Sequence, residues 1–106
     1  MNQIREITPQ ETMALIKEGW KLVDVRTPAE FNELHATEAV NIVLDKCTAD
    51  ALRALGGDRF AIICQVGGRS KRACQNVSHD TTLQVVSVAG GTNAWVATGL
   101  PTKSGN

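Results

Sequence analysis

FAIICQVGGRSKRAC, residues 60–74, is the stretch on which the reading of this chain turns. Five residues from Phe60 to Cys64 are almost all apolar, as a parallel strand covered on both faces requires. Gln65, Val66, Gly67 and Gly68 follow, then Arg69, Ser70 and a run of helix-compatible residues. The chain is therefore expected to leave a central strand through a tight loop and enter a helix over about residues 70–78, with Ala73 and Val77 four apart.

The same alternation extends outward in both directions. IREIT (4–8) suits a short strand, and Thr8-Pro9-Gln10-Glu11 announces a helix with Thr8 as cap, Pro9 in the first turn and Glu11 closing a capping box. Met13, Leu15 and Ile16 give that helix an apolar side, and Gly19 can end it. KLVDV (21–25) reads as a strand broken at Arg26-Thr27-Pro28, PAEFNEL (28–34) as a brief helix and NIVL (41–44) as a strand. Thr48 or Asp50 can cap a helix over TADALRAL (48–55). Beyond the central stretch, LQVVSV (83–88) is a strand, Gly90-Gly91 a turn and TNAWVATG (92–99) a last helix with Trp95 inward. Strands alternating with helices predict an α/β domain, with a mostly parallel central sheet and helices on both faces. One domain is expected over residues 1–106, with the polar tail TKSGN (102–106) frayed.

Composition narrows the function. Eleven Lys and Arg balance eleven Asp and Glu in 106 residues, and aromatic residues make up 4 %. A neutral chain lacks the clustered cations that bind nucleic acid and, with few aromatics, a surface for stacking bases. No run is long enough to span a bilayer, and the opening MNQIREITPQE lacks the apolar stretch of a secretion signal, so a cytoplasmic location is expected. Cys47, Cys64 and Cys74 are three and widely spaced, which suits neither a disulfide framework nor the paired spacing of a zinc site. No metal or other cofactor is expected.

Of the three, Cys64 has reactive surroundings. It stands at the carboxyl end of the predicted central strand, where ligands bind in open α/β sheets. The next helix would aim its free N–H groups at the loop. Gly67 and Gly68 allow the backbone to curl into an anion cradle, Arg69 adds a permanent cation, and Ser70 can cap the helix. Each feature favours a thiolate over a thiol. Cys47 and Cys74 have no such setting and read as small packing residues.

On these residues the chain resembles the rhodanese family of single-domain sulfurtransferases. Cys64-Gln65-Val66-Gly67-Gly68-Arg69-Ser70 matches the family's C-x-x-G-x-R-S loop. LVDVRTPAEF (22–31) matches D-V-R-x-x-x-E-F, HATEAVNIVL (35–44) is similar to H-I-x-G-A-x-N-I-P-L, and VAGGTNAWVATGLP (88–101) matches G-G-x-x-x-W-x-x-x-G-x-P. Glu38 and Val43 depart from the family's Gly and Pro, both outside the loop. The resemblance implies a rhodanese-like three-layer fold and a transferase that needs no cofactor. Cys64 would carry a sulfane sulfur as a persulfide. Arg69 and the loop, through Gln65, Val66, Gly67, Gly68 and Ser70, would bind the donor's anionic end. Asp24 and Arg26 would be supporting residues, Arg26 paired with Glu30, and His35 structural. The implied partners are a small donor, thiosulfate or a persulfide, and a thiol acceptor that can be a protein. With Gln65 and Val66 uncharged, a persulfide fits as natural donor better than thiosulfate.

Two other readings stand beside this one. A non-catalytic rhodanese-like module of a longer protein would share the motifs. Cysteine phosphatases and arsenate reductases also use a Cys–loop–Arg cradle, but of the form C-x5-R. Here four residues separate Cys64 from Arg69, a tighter ring that suits a sulfur atom better than a phosphate.

Overall fold

The Phe60–Cys64 run lies at the middle of the sheet. In the computed structural model, which describes residues 4–105, β5 (Arg59–Ile63) is flanked by β2 (Lys21–Asp24) and β6 (Gln84–Val88). β4 (Val40–Asn41) extends the sheet beyond β2, and β1 (Glu6–Ile7) beyond β6. The order is β1-β6-β5-β2-β4 and every pairing is parallel. Met1, Asn2, Gln3 and Asn106, within the expected single domain, lie outside the described residues.

Strand alternation divides the core into two layers. Phe60, Ile62 and Cys64 point to one face, where they pack with Val23, Val25, Leu52, Ala73 and Val77. Ala61 and Ile63 point to the other, with Leu22, Val86, Val88 and Trp95. The helices α3 (Ala49–Ala54) and α4 (Gly68–Val77) thus contribute to the first layer, and α5 (Gly91–Ala97) to the second. The side of the sheet on which Cys64 falls is fixed by this two-residue period, which sets it under the first turn of α4.

The helix starts follow from local chemistry. Thr8 caps α1 (Pro9–Lys17) in a full capping box with Glu11. Thr27 and Glu30 make a second box at α2 (Pro28–Glu33), and Thr48 rather than Asp50 caps α3. Trp95 is buried as expected, its indole N–H donating to the Pro101 carbonyl at 2.9 Å. His35 is buried too, stacked on Phe31 with Nδ1 2.7 Å from the Phe31 carbonyl.

Two expectations are corrected. NIVL does not form one strand: pairing covers Val40–Asn41, and Leu44–Lys46 is a 3-10 turn whose Leu44 N–H bonds the Val25 carbonyl. The tail is not frayed through residue 105. Thr102–Lys103 forms β7, antiparallel to β3 (His35–Ala36), and Gly105 N–H donates to the Asn32 carbonyl at 2.7 Å. Its polarity was a poor guide because backbone pairing on a surface strand needs no apolar side chains.

Candidate active site

Cys64 follows β5 directly, and α4 begins at Gly68, so the loop has to reverse within three residues. Gly67 makes this possible with φ +117°, a conformation that side chains oppose. There its N–H points back and donates to Cys64 Sγ at 3.0 Å. Ser70 Oγ lies 3.4 Å from the same sulfur, 3.0 Å from the Gly67 carbonyl and 2.7 Å from Ser87 Oγ. When the sulfur is ionised, the Ser70 hydroxyl can turn its proton to it while accepting one from Ser87.

The three cysteines are equally hidden: Cys47 is 2 % exposed, Cys64 1 % and Cys74 0 %. Burial alone drives a thiol toward its neutral form. It pushes Cys47 up to about 11 and, with the nearby thiols adding to it, Cys74 up to about 12. For Cys64 burial pulls the same way and is the largest single influence. Yet it is outweighed by the Ser70 hydroxyl together with the N–H groups of Ser70, Gly67 and Val66, and the net direction is downward. The surroundings of this sulfur, not its exposure, set it apart.

The charged residues are arranged differently from the expectation. Arg26 does not pair with Glu30. Its Nε and Nη2 grip Asp24, Nη2 also donates to the Leu34 carbonyl, and Nη1 donates to Gln65 Oε1 at 3.0 Å. Asp24 is wholly buried and Arg26 is 3 % exposed, so neither can be left without its partner. Glu30 instead takes Arg69 in a two-pronged contact of 2.8 and 3.0 Å. The Arg69 guanidinium is thus committed to a carboxylate, and the donors on the sulfur are main-chain N–H groups and Ser70. Gln65 and Val66 do not present cations either: Gln65 bridges Arg26 and Asn93 through its side chain, and the Val66 side chain points to solvent. Gly68 is the first residue of α4, with open space where a Cβ would stand.

Arg69, first among the causes, with a smaller contribution from the Thr27 cap, holds Glu30 down at about 2 against a weaker upward push from burial. A carboxylate depressed on folding stabilises above its free value of 4.5, and that gain disappears as pH falls through about 2. Both side chains are more than a third exposed, so solvent screening limits the pair to under about 1 kcal/mol. Glu30→Gln is expected to be less stable than the natural protein by that amount at pH 7. The gap should close as urea unfolding is repeated at falling pH, and a constant gap would deny the pair its role.

Ser87, Thr92 and Asn93 were not singled out from the sequence, and Gly91 was read only as part of a turn. Ser87 is a fully buried hydroxyl in β6, and the signal for it was a serine set among the strand's valines. Gly91 and Thr92 bring the start of α5 against the loop. Thr92 N–H and Oγ1 both bind the Cys64 carbonyl, at 2.7 and 2.9 Å, and Asn93 N–H binds that of Gln65 at 3.2 Å.

Comparison with known proteins agrees with this architecture. The family model described as rhodanese-like domain matches residues 8–98. The chain is 34 % identical over 102 residues to Thiosulfate sulfurtransferase 16, chloroplastic, of Arabidopsis thaliana, covering 85 % of each. It is 30 % identical to Thiosulfate sulfurtransferase GlpE of Pseudomonas syringae pv. syringae, covering 92 % of each. The crystal structure of a thiosulfate sulfurtransferase from Pseudomonas aeruginosa superposes with a TM-score of 0.86 at 28 % identity; 97 % of this chain is covered but only 20 % of that much longer one. A rhodanese-related protein from Thermoplasma volcanium gives 0.80 at 29 % identity, covering 93 % of this chain and 97 % of its own. The first three motifs, strands β2, β4, β5 and β6 and the donor-ringed cysteine at the sheet's carboxyl edge fall within residues 8–98, and the chain belongs to the rhodanese-like domain family.

Proposed function

We propose that this protein is a sulfurtransferase that carries a sulfane sulfur on Cys64. A donor such as thiosulfate or a persulfide presents its outer sulfur to the Cys64 thiolate. A bond forms between the two sulfurs, the donor's own bond to that sulfur breaks, and the electron pair leaves with sulfite or a thiolate. A thiol, or cyanide in an assay, then removes the sulfur and restores the thiolate. This is two-step covalent catalysis, for which ping-pong kinetics are expected.

The observation that carries this reading is the contrast among three buried cysteines. Two are held protonated, while the third is drawn toward its ionised form by donors aimed at its sulfur. Such donors are fixed before the charge arrives, so they stabilise negative sulfur without reorganising. They also remove the need for a general base, since the nucleophile is supplied already favouring its anion. Because Cys64 is 1 % exposed, loading requires a local opening of the loop. The names of the similar proteins support thiosulfate as a usable donor.

Intact mass spectrometry after mixing with thiosulfate tests the reading. One added sulfur atom is expected, mapped by peptide analysis to Cys64 and removed by cyanide. The loading rate should reach half its plateau below pH 9.0, the free value from which Cys64 is lowered. A protein that gains no sulfur from thiosulfate or from a small-molecule persulfide would not be a sulfurtransferase.

A further inference from the structure

The geometry points to Glu33 as the residue that selects the sulfur acceptor by charge, favouring a thiol that carries a cationic group. The inference rests on the sulfurtransferase reading above. A cleft of about 370 Å³ opens beside the loop, lined by Arg26, Glu30, Glu33, Gln65 and Asn93, with Val96 at its edge. Its lining includes Gln65, the residue after the reacting cysteine, and Thr92, which binds the Cys64 carbonyl.

The charges of this lining can be paired off. Arg26 is held by Asp24 at 2.8 Å and Glu30 by Arg69 at 2.8 Å. Glu33 is exposed, and among the described residues no Lys or Arg makes an ion pair with it. One uncompensated charge therefore remains, and it is negative. The neighbouring valines Val66 and Val96, 65 % and 47 % exposed, add apolar surface and no cation. An acceptor thiolate brings a negative charge of its own. It attacks the outer sulfur of the Cys64 persulfide after that sulfur has taken up a proton from solvent. A new S–S bond forms as the bond to Cys64 Sγ breaks, and that electron pair returns to Cys64 as thiolate. The acceptor leaves as a protonated persulfide. A cationic group on the acceptor offsets the thiolate charge on approach and is attracted by Glu33, whereas a second anion is repelled.

The test uses the full chain loaded from thiosulfate, with loading confirmed by intact mass. The bound sulfur is discharged in single turnovers by 2-aminoethanethiol, 2-mercaptoethanol and 2-mercaptoethanesulfonate, on the natural protein, Glu33→Gln and Glu33→Lys. The intrinsic reactivities of the three thiols cancel when the proteins are compared. The rate ratio of cationic to anionic thiol is expected to fall on the order of fivefold in Glu33→Gln and further in Glu33→Lys, with the neutral thiol little changed. Raising salt to about 0.5 M should shrink these differences. Among the described residues, the one hydrogen bond of Glu33 beyond its helix is donated by Ser104 Oγ to its main-chain carbonyl at 2.9 Å, so both variants retain it. Equal ratios in all three proteins, with loading intact, would overturn the role of Glu33 alone. Failure of the natural protein to load would overturn the sulfurtransferase reading and this inference with it.

Discussion

Gly91→Ala is expected to lower the stability of this domain by about 3 kcal/mol and to slow sulfur loading of Cys64 by about 100-fold. A Cβ at this position would stand 2.5 Å from the Cys64 carbonyl oxygen and 2.6 and 2.7 Å from the carbonyl carbon and oxygen of Gln65. All three are backbone atoms, which cannot swing aside as the end of a side chain can. The residue also has φ +58°, so alanine would carry a left-handed strain of about 1 kcal/mol besides the overlap. Relief requires α5 to move from the loop. That pulls Thr92 from the Cys64 carbonyl and shifts the peptide that leads to the sulfur-facing N–H groups. In a domain of this size about 3 kcal/mol corresponds to a fall in Tm of roughly 10–20 °C. Gly68→Ala is the control: its Cβ meets open space and its φ is ordinary, so the fold should be kept. Thermal unfolding of both, with loading followed by mass, checks the claim. Equal Tm values would mean that the close approach at Gly91 costs nothing.

Much of this was legible because local chemistry decided it. The apolar run 60–64, the Thr8 capping box and the placement of Cys64 at a strand end before glycines are properties of short windows, and the structure has them where the sequence implied. What escaped was decided by distant parts of the chain. Gly90-Gly91 read as a turn; that it lets a helix start touch the Cys64–Gln65 peptide depends on where α5 lands. Arg26 was expected to pair with Glu30, four residues on in the chain. Burial of Asp24 claimed Arg26 instead, and left Glu30 for a guanidinium 39 residues away. The cation that the loop motif placed beside the sulfur is thus spent on joining α2 to α4. Linear spacing shows which charges are near in the chain, not which of them the fold removes from water.

That choice of partner underlies the second large effect. Asp24→Asn keeps the shape of the side chain and removes its charge, so Arg26, 3 % exposed, keeps a cation with no counterion. Asp24 accepts from Arg26 N at 2.9 Å, from Nε at 3.1 Å and from Nη2 at 2.8 Å. An amide replaces one accepting oxygen with an NH2 group that faces donors. Removing one member of a buried pair typically costs about 3–5 kcal/mol, a large share of a small domain's stability. The consequence should reach Cys64, because Arg26 also holds Gln65 Oε1 and so steadies the first residue of the loop. Arg26→Met alone is expected to be about as harmful, leaving a buried carboxylate short of donors. The double variant Asp24→Asn/Arg26→Met removes both charges, and its loss should be smaller than the sum of the single losses by about 3 kcal/mol. Urea unfolding of the four proteins at neutral pH measures this coupling. Additive losses would show that the two groups do not depend on one another, and that the strand end holding the loop is fixed by something other than this pair.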